Sequence, residues 1–180
     1  QGARAIAFQV DSPGGTVAGN KETARIIANL PKQGIPTASA VNGLACSAAY
    51  KISSGTEVIF ATESSEVGNI GTIMTWADCD EFWREQGVEF KALTNQGADL
   101  KSTFHLEPNS TQLAFLQQRI DSAGDEFRQF VVEGRKNSEV ELDPEVFRAG
   151  WYSGQSALNL GLIDSVGTLE DAKTFLLEGV

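Results

Sequence analysis

Three short apolar runs, separated by stretches of helical pattern, constrain this chain more than any other feature. Residues 5–10, 36–41 and 58–61 are each mostly apolar, and turn formers bound them. Such runs fit buried strands of a sheet covered on both faces. Between the first two, residues 16–30 place Val17, Ala24, Ile27 and Leu30 near one helical face, and Pro31 stops the pattern. Between the second and third, the small residues Ala45, Cys46, Ser47, Ala48 and Ala49 lead into a helix holding Tyr50 and Ile52. Strand alternating with helix predicts an α/β fold, a mainly parallel sheet with crossover helices.

The remainder continues the alternation. Residues 67–74 are apolar and punctuated by Gly68 and Gly71. A helix is expected over 78–86, closed by Gly87, and a strand over 88–94. Residues 95–108 show no period and form a long loop with Gly97, Lys101 and His105, the kind of segment that often carries function. Asn109 or Ser110 caps a long helix reaching Arg135, with Leu113, Leu116, Ile120, Ala123, Phe127 and Phe130 as its apolar stripe. Asp143-Pro144 starts a short helix. Trp151-Tyr152-Ser153-Gly154 opens another that ends at Gly161, then a strand over 162–166 and a helix over 168–178 follow. Trp76, Trp83 and Trp151 are expected as core or interface aromatics.

Composition narrows the function. The chain has 180 residues, enough for one domain over 1–180 with a real core. A net charge of −10 argues against nucleic acid as a partner, because phosphate binding needs a basic patch. No run reaches the roughly 18 apolar residues of a membrane span. Cys46 and Cys79 show neither metal spacing nor a disulfide framework, and no cofactor is expected. The chain begins with Gln1 rather than Met, and is expected to be a fragment of a longer one.

Ser47 is the candidate nucleophile. It stands at the mouth of a helix, ringed by alanines that leave room for a substrate, and the N–H groups of a first helical turn have no partner within the helix. Upstream, Asp11-Ser12-Pro13-Gly14-Gly15 follows the first strand. Its glycines permit backbone shapes and close approaches that other residues cannot make, and Asp11 is expected to order the turn.

These stretches fall in register with two others, Gly68-Asn69-Ile70-Gly71 and Tyr152-Ser153-Gly154-Gln155-Ser156-Ala157 through Gly161-Leu162-Ile163-Asp164. Together with Cys46-Ser47-Ala48-Ala49-Tyr50, the set resembles the signal peptide peptidase A / protease IV family of serine peptidases. It is similar in particular to the phage head-maturation proteases of that family. The likeness covers nearly the whole chain.

The resemblance implies a Clp protease/crotonase-type fold and a Ser–Lys dyad. Ser47 would be the nucleophile and Lys101 the general base, in Gly97-Ala98-Asp99-Leu100-Lys101, where one extra residue separates glycine from lysine. Ala-Ala also follows the serine where the family commonly has Gly-Gly. Gly15, favoured over Gly14, and Ala48 would supply the oxyanion N–H groups. A lysine base must be neutral near pH 7, a drop of roughly 3 units from about 10.4. Phe104, Leu100 and Leu106 are the apolar residues at hand to dry Lys101.

Alternatives stay open. Lys51 lies one turn after Ser47 and is expected as a solvated helix residue; Lys91 is expected on a strand, pointing to solvent. His105, the sole histidine, would have to serve any Ser–His–Asp triad. Cys46 is expected as a small packing residue. The resemblance further implies a peptide or protein substrate and a ring-shaped homo-oligomer, with the lysine supplied in cis or in trans. It implies a bacterial membrane-associated or periplasmic setting, or the host cytoplasm for a phage protein. A catalytically silent scaffold of the same fold and an acyl-CoA enzyme of the crotonase branch are the rival readings.

Overall fold

In a computed structural model, residues 4–102 and 106–178 are described. They fall into two compact units, Gln1–Gly71 with Gly124–Val180, and Thr72–Ala123.

The larger unit is built on a six-stranded sheet. The strands are β1 (Ile6–Ser12), β2 (Thr37–Cys46), β3 (Val58–Ala61), β4 (Glu66–Gly68), β5 (Trp151–Ser153) and β6 (Ser165–Val166). They run in the order β5-β4-β2-β3-β6, and β1 also pairs with β2. All pairings are parallel except β4 with β5, as the strand–helix alternation predicts. The helices are α1 (Asn20–Asn29), α2 (Ala48–Ser53), α3 (Asp80–Glu85), α4 (Ser110–Arg135), α5 (Gly154–Asn159) and α6 (Leu169–Glu178).

Burial follows the period of the strands. Val41, Ile59, Ala61 and Val67 join Tyr50, Phe127, Val131, Leu162 and Ile163 in one buried cluster. Ala38, Ala40 and Phe60 face the other way and pack with Ala172 and Leu176 of α6. Both faces of β2 and β3 are therefore covered, which is why those runs read as apolar rather than alternating. Each fully buried large side chain contributes about 1.5–3 kcal/mol. A polar brace ties the end of α4 to the segment before β6: Arg135 donates to both carboxylate oxygens of Asp164, each at 2.8 Å, and to the Gly161 carbonyl. Burial works against the guanidinium's charge, and the Asp164 bonds outweigh it, so Arg135 holds its proton more firmly than usual.

The smaller unit holds α3, an irregular stretch, and the first part of α4. No strand forms over 88–94, contrary to expectation. That run has the right residues but no partner strand among the described residues, and an unpaired strand is not stable in water. Trp83 meets Phe82 and Phe90 edge-on. The start of α4 is a reciprocal cap: Asn109 accepts from the Thr111 and Gln112 amides, and Gln112 accepts from the Asn109 amide.

Two other expectations change. Trp151–Ser153 forms β5 rather than opening a helix, because those residues pair with Gly68, Val67 and Glu66. Trp76, Trp83 and Trp151 are 46%, 38% and 62% exposed, so none lies in the core.

Candidate active site

The strand that delivers Ser47 is longer than its sequence suggests. Val10 pairs with Val41 and Ser12 with Ala45, so Asn42, Gly43 and Leu44 of β2 stand against Asp11 alone. This is a bulge, and Asp11 stabilises it: its Oδ1 accepts from the Leu44 amide at 3.0 Å. Gly43 has φ 120°, and a Cβ there would lie 2.3 Å from Asp11 Oδ1. Asp11 thus orders backbone, as expected, though in β2 rather than in its own turn. Past the bulge β2 changes neighbour, pairing Ala45 with Val67 and Cys46 with Gly68 of β4.

Ser47 then turns the chain from β2 into α2. Its φ is 53° and its ψ −127°, a conformation that costs a non-glycine residue of order 1–3 kcal/mol and persists only where the surroundings enforce it. The surroundings do so at both ends. The Ser47 amide donates to the Gly68 carbonyl at 2.8 Å, and the Ser47 carbonyl accepts from the Lys51 amide at 3.0 Å. The hydroxyl does not cap α2, so it is not spent on the helix end. Gly14 is pressed against this turn: a Cβ on it would lie 2.7 Å from Ser47 Cβ and 3.1 Å from the Ala48 amide nitrogen. The Gly14 amide donates to Ser12 Oγ, whereas Gly15 stands in open space.

Strain continues outward from Ser47 through hydrogen bonds. Among the described residues the non-glycine positions with positive φ are Ser47, Asn69 and Ala149. Gly68 accepts from Ser47, the neighbouring Asn69 amide donates to the Gly150 carbonyl, and Asn69 Nδ2 donates to the Ala149 carbonyl. The sequence reading passed over Asn69 and Ala149 as individual residues. Asparagine tolerates left-handed backbone, so Asn69 carried a residue-type hint, whereas alanine does not and Ala149 carried none. A cavity of about 610 Å³ opens beside the turn, with Ser12, Gly14, Gly15 and Thr16 on one side and Ala48, Ala49 and Ile52 on the other.

The lysines part company. Lys51 is buried, not solvated as expected: its side chain is 3% exposed and its amine lies 2.6 Å from Glu126 Oε2. Lys91 is exposed as expected, pairing with Glu89, though not on a strand. Lys101 belongs to the smaller unit and is exposed, with Leu100 40% exposed, so Leu100 does not bury it. Its backbone is held: the Lys101 amide donates to the Ala98 carbonyl and its carbonyl accepts from Gln112 Nε2 at 2.9 Å. Phe104 and His105 lie outside the described residues. Cys46 is buried, and burial, with the Glu66 charge adding to it, pushes its thiol above the usual range, in keeping with a packing role. Among the described residues no cluster of His, Cys, Asp or Glu could hold a metal.

A family model described as Peptidase family S49 matches residues 29–180. The chain belongs to that peptidase family. It is similar to a putative signal peptide peptidase SppA of Enterococcus faecium, 33% identical over 171 residues, 94% of this chain and 49% of the relative. It is 30% identical over 178 residues to capsid assembly protease C of Escherichia phage lambda, covering 97% of this chain and 39% of the relative. It is 28% identical over 170 residues to protease 4 of Salmonella typhi, covering 94% and 27%. The chain spans about half the length, or less, of these curated relatives.

Within this peptidase family the Ser47 turn has the makings of an acyl-transfer site. Ser47 is half-buried on a strained strand-to-helix turn, and its hydroxyl does not cap the helix. Ala48 at the helix start and Gly14 and Gly15 of the glycine loop line the same cavity. The larger unit thus brings Ser47, Ala48 and the Gly14-Gly15 loop together, and the lysine nearest Ser47 in sequence, Lys51, is paired with Glu126.

Proposed function

We propose that this chain is the catalytic part of a serine endopeptidase with a Ser–Lys dyad, on a Clp protease/crotonase-type fold. Ser47 Oγ attacks the peptide carbonyl carbon, and the Lys101 amine takes the hydroxyl proton and returns it to the leaving amine. The Gly15 and Ala48 N–H groups hold the oxyanion of the tetrahedral intermediate. Water then repeats the sequence to release the acyl group. The observation that carries this reading is the Ser47 backbone, strained and pinned by Gly68 while Gly14 packs against it.

Substrates in this reading are extended protein segments whose small or apolar side chains fit beside Ala48 and Ala49. Signal-peptide remnants, membrane-protein segments and phage capsid or scaffold proteins all meet that description. An exposed lysine works as a base only once dried. A bound peptide or a second copy in a ring-shaped homo-oligomer supplies that, and the lysine then acts in cis or in trans.

A fluorophosphonate probe tests the reading. Wild-type protein is expected to label, and Ser47→Ala to lose labelling entirely. Lys101→Met is expected to slow labelling by at least about 100-fold, the scale of a lost general base. The exposure of Lys101 favours one rival, a silent scaffold of the same fold. Absence of labelling in assembled wild-type protein selects that rival.

A further inference from the structure

A buried cation sits one helical turn after the nucleophile, and the dyad does not use it. Lys51 Nζ donates to Glu126 Oε2 at 2.6 Å and to Asn20 Oδ1 at 3.1 Å. The faces of Phe127 and Phe130 lie 5.7 and 5.9 Å away. Asn20 passes the connection on: its Nδ2 donates to the Thr16 carbonyl at 2.9 Å. Thr16 follows Gly15 directly. The orientation of the Asn20 amide is fixed by its partners, since a lysine can only donate and a carbonyl can only accept.

The network thus joins two pieces of backbone that must act together. At one end the Lys51 amide donates to the Ser47 carbonyl. At the other, Asn20 holds the loop that carries Gly15. Between them lies the 610 Å³ cavity, with Gly15, Thr16 and Asn20 on the loop side and Ala48, Ala49 and Ile52 on the helix side. Packing cannot set the spacing across an open cavity. The loop itself is exposed over residues 15–19. Farther along, α1 packs beside α2; at the loop itself, the contact of Gly14 with the Ser47 turn and the polar bridge at the cavity edge are what span the gap.

We propose that Lys51, with Asn20 and Glu126, is a positioning device that fixes the Gly15 loop against the Ser47 turn and so presets the distance between the two oxyanion donors. The inference rests on Ser47 being the nucleophile. Lys51 touches no reacting atom. It acts through Asn20 on one donor and through the Ser47 carbonyl on the other. A burial of this depth is otherwise costly for a lysine, and a buried pair is weak evidence for stability alone.

The test uses the full-length protein, a peptide ester substrate and a peptide aldehyde, which forms a tetrahedral adduct. Asn20→Asp keeps an acceptor for Lys51 and loses the donor to Thr16. Lys51→Met removes the centre of the network. Both are expected to lower kcat by about 10- to 100-fold, the scale of a displaced or lost oxyanion donor, with KM within about twofold, and to weaken the aldehyde in proportion. Lys21→Met, which removes only the outer 3.6 Å contact to Glu126, is expected to change neither. Where Lys51→Met does not fold, Asn20→Asp decides. Wild-type kcat and aldehyde affinity in Asn20→Asp overturn the proposal, as does a loss that only follows the folded fraction. Ser47→Ala run alongside reports on the underlying reading by itself: activity surviving there removes the nucleophile, whatever Asn20 shows.

Discussion

The two compact units differ in what holds them together. The larger one has a buried apolar set, in which Ile59, Val67, Val131, Val146 and Leu162 are each fully buried, although Ile26, Trp151 and Leu177 stay exposed. In the smaller one apolar side chains stay outside: Ile73 is 83% exposed, Leu93 is fully exposed, and Met74, Trp76, Phe82 and Val88 are all exposed. Pro108 alone among its described residues is buried. The larger unit carries its own hydrophobic driving force; the smaller one has residues able to make a core, but its described residues form none. The difference maps onto the proposed chemistry. The nucleophile sits where the backbone is over-determined, while Lys101 sits where apolar surface still waits for cover. A surface of that kind marks an interaction site, so the base is expected to acquire its setting from a substrate or a second copy.

The contrast breaks most visibly if core truncations in the two units cost the same. Ile59→Ala deletes a fully buried side chain of β3 from the main apolar cluster and is expected to cost about 3–4 kcal/mol. Leu93→Ala removes a side chain that touches little and is expected to stay within about 0.5 kcal/mol. Urea unfolding of the two variants checks both. A large loss in Leu93→Ala means that the smaller unit has a core after all.

A sharper comparison uses one substitution in two settings. Gly14 and Gly97 both have positive φ, 110° and 81°, so alanine is strained at either. At Gly97 a Cβ meets nothing within 4 Å, and the cost is conformational, about 1 kcal/mol. At Gly14 the Cβ stands 2.7 Å from Ser47 Cβ and 2.8 Å from the Cys46 carbonyl, and neither can move freely. Gly14→Ala is expected to cost about 2–4 kcal/mol and to abolish probe labelling by displacing the Ser47 turn. Gly97→Ala is expected to leave labelling within about threefold. Thermal unfolding and labelling rate, measured together, separate the two.

How much of this was readable in advance follows the same division. Residues 58–61 form β3 as expected, and the long helix ends at Arg135 as expected, because both patterns are satisfied by what they pack against. Where the outcome depended on a distant partner, the sequence was mute. β2 runs through Asn42-Gly43, normally a stop, because Asp11 of β1 caps the Leu44 amide. Lys51 read as a solvated helix residue because nothing near it announces Glu126, 75 positions later. Residues 88–94 have the composition of a strand, but pairing is a property of neighbours, not of the run itself. The Ser47 turn was legible from its small residues and glycines; the Asn69–Ala149 extension of it was not, since hydrogen bonds between segments 80 residues apart leave no local pattern.

The smallest effect expected is a matter of rate, and it sets the two cysteines against each other. Cys46 is buried at the end of β2, with Sγ facing the Glu66 carbonyl at 3.6 Å. Burial first, and the Glu66 carboxylate second, hold its thiol above the ordinary value, so less thiolate is present at any pH near neutrality. Only the thiolate attacks an alkylating agent. Cys79, just before α3 in the smaller unit, is exposed. Iodoacetamide at pH 7.5 is expected to modify Cys79 at least about tenfold faster, and Cys46 at a rate that rises with added denaturant, when the thiol regains an ordinary setting. Raising the pH is expected to narrow the gap, because the depleted Cys46 thiolate has more to gain. Equal rates in native buffer, read by peptide mass spectrometry, place the end of β2 in contact with solvent. The Ser47 turn beside it then loses the fixed surroundings on which its strained backbone depends.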